Sequence, residues 1–252
     1  MQKGTKMYTF NSRIRYSEVD KNGFLTLGSL LDYFQDCSTF QTQDGPTPME
    51  YLKRNGITWV LTSWQIEVKR YPKLCEHVVI GTIPYRLKGY FGFRNFFMDT
   101  QDGERLAVAN SEWTLIDTNR ARPTRITPEM ANAYPIGEPL EMEYCDRKIR
   151  LPEDGEVIDA KEILITSHHL DTNNHVNNGQ YIKMATDCIP DKDIFISSMR
   201  AEYRMQTREG DILVPNIIKV SKNGIIAYTI SLNDKENKPV CLVELKTANN
   251  EV

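Results

Sequence analysis

The chain has no excess of basic charge, no long apolar run and no paired cysteines, and each absence removes a class of function. Its 31 Lys and Arg stand against 34 Asp and Glu, giving a net charge of -3 and a pI near 5.9, whereas a nucleic-acid binder ordinarily shows a basic balance or stripe. Nucleic acid is therefore not an expected partner, although a small acidic protein can still dock on a local basic patch. No stretch approaches the ~20 apolar residues of a membrane span, and the N-terminal MQKGTKMYTFNSRI has no apolar core of a secretory leader. A cytoplasmic protein without a membrane span is expected. Cys37, Cys75, Cys145, Cys188 and Cys241 are scattered, odd in number and without a CxxC pair, which fits reduced thiols and not a disulfide or zinc framework. None of them sits in a polar cluster.

Histidine is scarce too, and its placement is informative. Three of the four histidines fall in His168–Ile182, HHLDTNNHVNNGQYI, with one aspartate and four asparagines. If this stretch is extended, Asp171, Asn173 and His175 at i, i+2 and i+4 point the same way and set a carboxylate, an amide and an imidazole on one wall of a cleft. The same composition also describes a turn followed by a helix cap, because Asn and Asp side chains bond nearby backbone groups. A calcium loop fails: its tight-turn glycine position holds Val176 and its terminal glutamate position Ile182. A metal site of His168, His169 and His175 has no carboxylate or cysteine following at zinc spacing, so neither a metal nor another cofactor is expected. Turn-plus-cap and catalytic wall both remain open on composition.

With 252 residues, 40% hydrophobic and 26% charged, the chain is long enough for one large domain or two ordinary ones. Tyr8, Phe10, Ile14 and Tyr16 alternate as in a half-buried strand. Thr26 is placed to cap a helix in which Leu27, Leu30, Leu31, Phe34 and Cys37 recur at helical spacing, and with Tyr33 and Phe40 also apolar much of that helix is enclosed. Met49 to Asn55 reads as a short surface helix ended by Gly56. Strand-like runs follow near Ile57 to Arg70, Val78 to Arg86, Tyr90 to Asp99 and Leu106 to Ile116, with a turn at Asp102-Gly103. One helix against a curled antiparallel sheet is the economical packing. Between Asp117 and Gly155 the periodicity weakens and prolines appear at 123, 128, 135, 139 and 152, the composition of a linker. Arg120, Arg122 and Arg125 form a basic cluster there, either a solvated face or a dock for an acidic partner.

After the linker the order of elements repeats: a strand near Glu162 to Thr166, the Asn-rich motif, a helix near Asn177 to Ile189, then strand-like runs near Ile194 to Arg204, Ile212 to Val220, Ile225 to Asn233 and Val240 to Lys246. Sliding one half over the other by 151 places Asp20 on Asp171, Asn22 on Asn173, Leu31 on Ile182, Asp36 on Asp187 and Cys37 on Cys188, and an offset of 135 places Ser63 and Glu67 on Ser198 and Glu202. At the 151 offset His175 falls on Phe24, Asn174 on Gly23 and Asn178 on Leu27. One half is apolar where the other carries His and Asn. That suggests a division of labour between a pocket and a catalytic half.

The stretches RYSEVDKNGFLTLGSLLDYFQD, WVLTSWQIEVKRYP, LDTNNHVNNGQYI and AEYRMQTREGD resemble the plant and bacterial acyl-ACP thioesterases over nearly the whole chain. The D-x-N-x-H-V-N-N-x-x-Y-I pattern is the most specific part. The resemblance implies an α+β fold of two tandem hotdog domains, each a long central helix wrapped by a curved antiparallel β-sheet: residues 1–120 with the acyl pocket, a linker at 121–155, and residues 156–252 with the catalytic set. It implies hydrolysis of fatty acyl-ACP to free fatty acid and ACP in fatty acid biosynthesis, with an acyl carrier protein as partner. Asp171, Asn173 and His175 match the family's catalytic Asp, Asn and His. The plant pattern adds a Glu-Cys pair after E-Y-R, where this chain has Gln206-Thr207, so a Cys-His-Asn scheme is not available there. Gln206 can orient water or the thioester by hydrogen bonding but cannot act as a base.

Imidazole titrates near neutral pH, which suits His175 to take a proton from water. Asp171 can orient it or be the base itself, and Asn173 can position water or substrate. The backbone N–H groups around Val176 to Asn178, unpaired at a helix start, can polarise the thioester oxygen. The acyl tail is expected along Leu30, Leu31 and Phe34 and the strand through Trp59 and Trp64, though each is an equally good core residue. Lys69, Arg70 and Lys73 are the second candidate dock for the acidic carrier. An acyl-CoA thioesterase or hydratase of the same fold, and a non-catalytic acyl-binding protein, are the rival functions. Oligomeric state stays open: fusion already supplies the hotdog pairing within one chain, and a homodimer is compatible with it.

Overall fold

Half-buried and exposed residues alternate through Tyr8–Arg13, which forms strand β1, while Tyr16 turns out to solvent on a short 3-10 turn. Thr26 then starts helix α1, Leu27–Asp44, its hydroxyl oxygen accepting from the Ser29 N–H at 3.1 Å, as expected of an N-cap. Leu27, Leu30, Leu31, Phe34 and Cys37 are buried along one face, and Tyr33 joins them. Phe40 does not: it is 42% exposed and packs edge-on against Phe10, ring centroids 5.3 Å apart. The computed structural model describes residues 7–191 and 194–247; the first six residues of the N-terminal stretch read above for a leader lie outside them.

Two compact units emerge. The first comprises residues up to Thr62 and Val68–Tyr144. After helix α2, Met49–Arg54, it contains strands β2 (Ile57–Val68), β3 (His77–Lys88), β4 (Phe91–Thr100) and β5 (Arg105–Asp117). They are ordered β1-β3-β4-β5-β2, with antiparallel pairing along β1, β3, β4 and β5. Helix α1 packs on β1 and β3. Gly81 of β3 faces Phe97 of β4, and a Cβ there would lie 2.1 Å from the ring; glycine lets Phe97 lie across the strand. Residues 121–144 are structured within this unit. Strand β6, Arg122–Pro123, pairs with β5, and helix α3, Pro128–Ala133, is capped by Thr127. Met130 and Tyr134 pack with Leu52 and Leu115. Pro128 here is a helix starter, a position proline favours because its missing N–H is not needed there.

The second unit comprises Ser63–Glu67 and residues from Cys145 onward. Its strands are β7 (Glu156–Ile158), the two-residue β8 (Ile163–Leu164), β9 (Ile196–Tyr203), β10 (Ile212–Lys222), β11 (Ile225–Asn233) and β12 (Pro239–Thr247). The order is β9-β12-β11-β10-β7, antiparallel throughout. Helix α4, Asn178–Cys188, buries Tyr181, Ile182, Met184 and Ala185 and packs on β11 and β12. The segment Ser63–Glu67 lies antiparallel to β9 with Ser63 opposite Glu202, Gln65 opposite Arg200 and Glu67 opposite Ser198. The residues matched at the offset of 135 thus face each other with their places exchanged. The architecture is α+β, with long antiparallel strands and few helices. Among the described residues no helix is long and apolar enough to cross a membrane.

Candidate active site

The segment before α4 is not extended. Asn174 adopts φ +59° and an isolated bridge joins Leu170 to Val176, so residues 171–175 form a tight turn. The Asp171 N–H donates to the His175 carbonyl at 2.7 Å, and the Asn174 N–H to the Asp171 carbonyl at 3.1 Å. The Asp171 Oδ1 accepts from the N–H groups of Asn173 at 2.7 Å and His175 at 3.3 Å. The carboxylate therefore ties the turn from inside. This replaces the alternating-face picture: Asp171, Asn173 and His175 are brought together by one oxygen and the backbone, not by strand periodicity.

The first unit builds the same turn. Asp20 Oδ1 accepts from Asn22 N–H at 2.9 Å and Phe24 N–H at 3.0 Å. The Asp20 N–H reaches the Phe24 carbonyl at 2.8 Å, Gly23 takes φ +80°, and Val19 bridges Leu25. The match extends outward. The Thr166 N–H donates to His169 Nδ1 at 3.0 Å as the Arg15 N–H donates to Glu18 at 2.8 Å. The His169 carbonyl accepts from Asn177 N–H as the Glu18 carbonyl accepts from Thr26 N–H. His169 is thus occupied in the turn, which removes it from the trio considered for a metal, and among the described residues no group of three or more His, Cys, Asp or Glu could hold a metal ion.

What differs between the copies is what the turn carries: Phe24 in one and His175 in the other. The His175 side chain is half-buried, Asn173 is exposed, and neither side chain has a hydrogen-bond partner among the described residues. Asn177 caps α4, its Oδ1 accepting from Gly179 N–H at 2.8 Å. Turn, cap and candidate chemistry share one segment. The helix start is less open than the sequence suggests. The Val176 N–H donates to the Thr207 carbonyl at 3.0 Å and the Asn177 N–H to that of His169 at 2.9 Å, so among the described residues it is the Asn178 N–H that lacks an acceptor.

Gln206 is exposed on the strap after β9. The strap runs beside the turn through the Val176–Thr207 bond, as Leu25 N–H meets the Pro72 carbonyl in the first unit at 2.9 Å; the offset is again 135 (207 − 72). Thr207 is buried, with Oγ1 2.7 Å from the Tyr181 hydroxyl. Burial pushes the Tyr181 phenol up to about 12, and the half-buried Tyr203, its ring centroid 6.0 Å from that of Tyr181, also rises well above the ordinary tyrosine value through desolvation of its phenol and donates to the Asn178 carbonyl at 3.0 Å. These two tyrosines secure α4 against the strap. Sequence reasoning passed over them because tyrosines on an apolar face look like core. Burial also raises the Cys241 thiol far above its usual value, which removes it as a nucleophile.

The first unit holds a cavity of about 110 Å³. Leu52, Trp59, Phe93, Trp113 and Tyr134 line it, together with Arg94 and hydroxyl groups of α1. Gly92 admits the Trp59 ring, since a Cβ there would lie 3.2 Å from two ring carbons. Trp59 was among the residues expected near the tail, whereas Leu30, Leu31, Phe34 and Trp64 are sealed core.

Comparison with known proteins decides the family. Models described as the Acyl-ACP thioesterase N-terminal domain and the Acyl-ACP thioesterase C-terminal domain match residues 5–134 and 153–244. The chain belongs to the acyl-ACP thioesterase family. An oleoyl-acyl carrier protein thioesterase of Arabidopsis thaliana is 24% identical over 94% of this chain and 71% of its own length. A palmitoyl-acyl carrier protein thioesterase of Cuphea hookeriana is 28% identical over 81% of this chain. The chain spans 52% of that second protein's length. The crystal structure of an acyl-ACP thioesterase from Bacteroides thetaiotaomicron superimposes with a TM-score of 0.82, covering 95% of this chain and 96% of that one at 24% identity; at that identity the likeness speaks for the fold.

Proposed function

We propose that the protein hydrolyses fatty acyl-ACP to free fatty acid and ACP, using His175 as the centre of the chemistry. The observation that carries this reading is the twinned turn: two turns of one geometry precede the two main helices, and the one before α4 presents an imidazole where the other presents a phenyl ring. A water oxygen adds to the thioester carbonyl while its proton passes to His175; collapse of the tetrahedral species breaks the C–S bond, and the proton returns to the departing thiolate. Asn173 and Gln206 orient water and carbonyl through their amides. Asp171 holds His175 in place through Oδ1 and leaves its second oxygen for water or imidazole. The Asn178 N–H supports the oxyanion.

Each unit is read as a hotdog domain, with α1 and α4 as the central helices, and the cavity of the first unit takes the acyl chain. Arg120, Arg122 and Arg125 are exposed, and one of them, Arg120, has a distant partner in Asp117 at 3.8 Å. Arg70, in contrast, is paired to both Glu76 and Glu104, so the first cluster is the better dock for an acidic carrier. A cytoplasmic location goes with this reading.

The deciding experiment assays acyl-ACP, acyl-CoA and enoyl thioesters side by side with wild type and His175→Ala. Release of free thiol from acyl-ACP, falling by about 10²–10⁴ in a folded His175→Ala protein, is the expected outcome. Near wild-type turnover in that variant sinks the assignment, and exclusive turnover of another substrate redirects it.

A further inference from the structure

The cavity of the first unit contains a feature that a pocket for plain hydrocarbon would not need. Arg94, on β4, is 8% exposed. Its Nη1 donates to Gln41 Oε1 and to Thr82 Oγ1 at 3.3 Å, both uncharged. The groups acting on it electrostatically are Tyr134 and Cys37, with no carboxylate among them. Burial lowers its pKa to about 10, which still leaves a cation at neutral pH. Its ring neighbours Phe96 and Tyr134, at 6.0 and 5.6 Å from the guanidinium carbon, supply only weak attraction.

A buried cation normally has a paired anion, because desolvation costs several kcal/mol that one or two neutral hydrogen bonds do not offset. The unused donors have somewhere to go. Trp59, which lines the same cavity, buries its Nε1 without a hydrogen-bond partner among the described residues. The Nε and Nη2 of Arg94 likewise have no hydrogen-bond partner among the described residues, they are not among the sealed atoms, and Arg94 lines the cavity. Beside them, the Tyr134 hydroxyl lies 3.4 Å from Thr42 Oγ1, and both residues line the same space. One corner of this pocket, next to hydroxyl groups and among aromatic and aliphatic side chains, is therefore a polar receptor with free guanidinium donors and no carboxylate to match.

We propose that this cavity selects acyl chains carrying an oxygen acceptor, a hydroxyl, an oxo group or a carboxylate set along the chain, over plain alkyl chains of the same length. This rests on the reading of the cavity as the acyl pocket. A site built to hydrogen-bond a substrate group discriminates strongly against the analogue lacking it, since the donors are then left buried and unpaired.

Binding and turnover are tested separately. N-methylamides of plain, hydroxylated, oxo and ω-carboxylated fatty acids, whose heads carry no charge, are titrated into the protein by tryptophan fluorescence, since Trp59 and Trp113 line the cavity. The matching acyl-pantetheine thioesters are assayed for kcat/KM. At least one oxygenated class should bind roughly tenfold or more tighter than the plain chain, and Arg94→Met should remove that preference while improving binding of the plain chain. Where Arg94→Met does not fold, Arg94→Gln is read through the carboxylated-to-plain ratio, which should fall by a similar factor. Equal or tighter binding of the plain chain by wild type, or a preference unchanged in the variant, overturns the proposal. Discrimination in binding without any turnover supports it and counts instead against the hydrolytic reading.

Discussion

Replacing Asp171 by Ala and by Asn separates the two jobs its carboxylate can do. In the structure Oδ1 accepts from the Asn173 and His175 N–H groups, and Asn174 is held at φ +59° between them. Loss of a side-chain acceptor for backbone N–H groups in this kind of setting costs about 0.5–2 kcal/mol, and the half-buried position of Asp171 places Asp171→Ala toward the upper part of that range. Asp171→Asn keeps an oxygen in the same place and should lose a few tenths of that. Activity then reads the second job. If the carboxylate charge orients His175 or accepts a proton, Asp171→Asn loses about 10²–10⁴ in kcat while remaining folded; if the residue only builds the turn, Asp171→Asn stays near wild type. Asp20→Ala is the internal control, because Asp20 makes the same two bonds in the turn without a histidine. It should destabilise in the same direction and leave kcat of the folded fraction nearly intact. Urea unfolding supplies the stabilities, and thiol release from acyl-ACP supplies the rates. Equal destabilisation by Asp171→Asn and Asp171→Ala, or none by either aspartate-to-alanine change, would refute the view that Oδ1 ties the turn.

Three further outcomes are expected. Asn177→Ala removes the cap of α4 and should cost about 0.5–2 kcal/mol by urea unfolding, with Asn177→Asp recovering most of it. Burial pushes the Glu202 carboxyl up, but the Arg204 guanidinium at 2.9 Å and the Ile149 N–H at 2.9 Å outweigh it and hold the group below its ordinary 4.5; a depressed carboxyl adds stability above its unfolded pKa that is lost as the pH falls through its folded one, so Glu202→Gln should flatten the acid limb of a stability profile below about pH 4.5 and leave the neutral region level. Charge reversal at Arg120, Arg122 and Arg125 should raise KM for acyl-ACP and for no small thioester, with the increase shrinking in high salt; equal effects on both substrates would remove the docking role.

Much of this molecule is legible in the residues alone. The helical spacing from Leu27 to Cys37 and the Thr26 cap place α1, and alternation places the long strands, because burial of one face repeats with the period of the element. The offset that sets Asp20 on Asp171 reveals two copies of one turn, and the exchange of Phe24 for His175 marks which copy holds the candidate histidine. The local geometry of that turn stays open in the residues alone, extended wall or turn plus cap, since a period-2 arrangement of Asp, Asn and His is also what a turn closed by its own aspartate produces. In the Pro-rich stretch Pro128 begins a helix, and the side chains that hold Met130 and Tyr134 lie elsewhere in the sequence, on α2 and β5.

By itself the sequence determined the repeat, the two main helices and the long strands, the position of the candidate histidine and the family. Only the tertiary structure decided which polar residues are committed to backbone and which are free, because that depends on partners brought from distant segments: Thr207 to Val176, Tyr203 to Asn178, and, around Arg94, Gln41 and Thr82 without a carboxylate. A carboxylate, a histidine or an arginine reads the same in a string of letters whether it is satisfied or waiting for a ligand, and desolvation by the surrounding fold makes the difference.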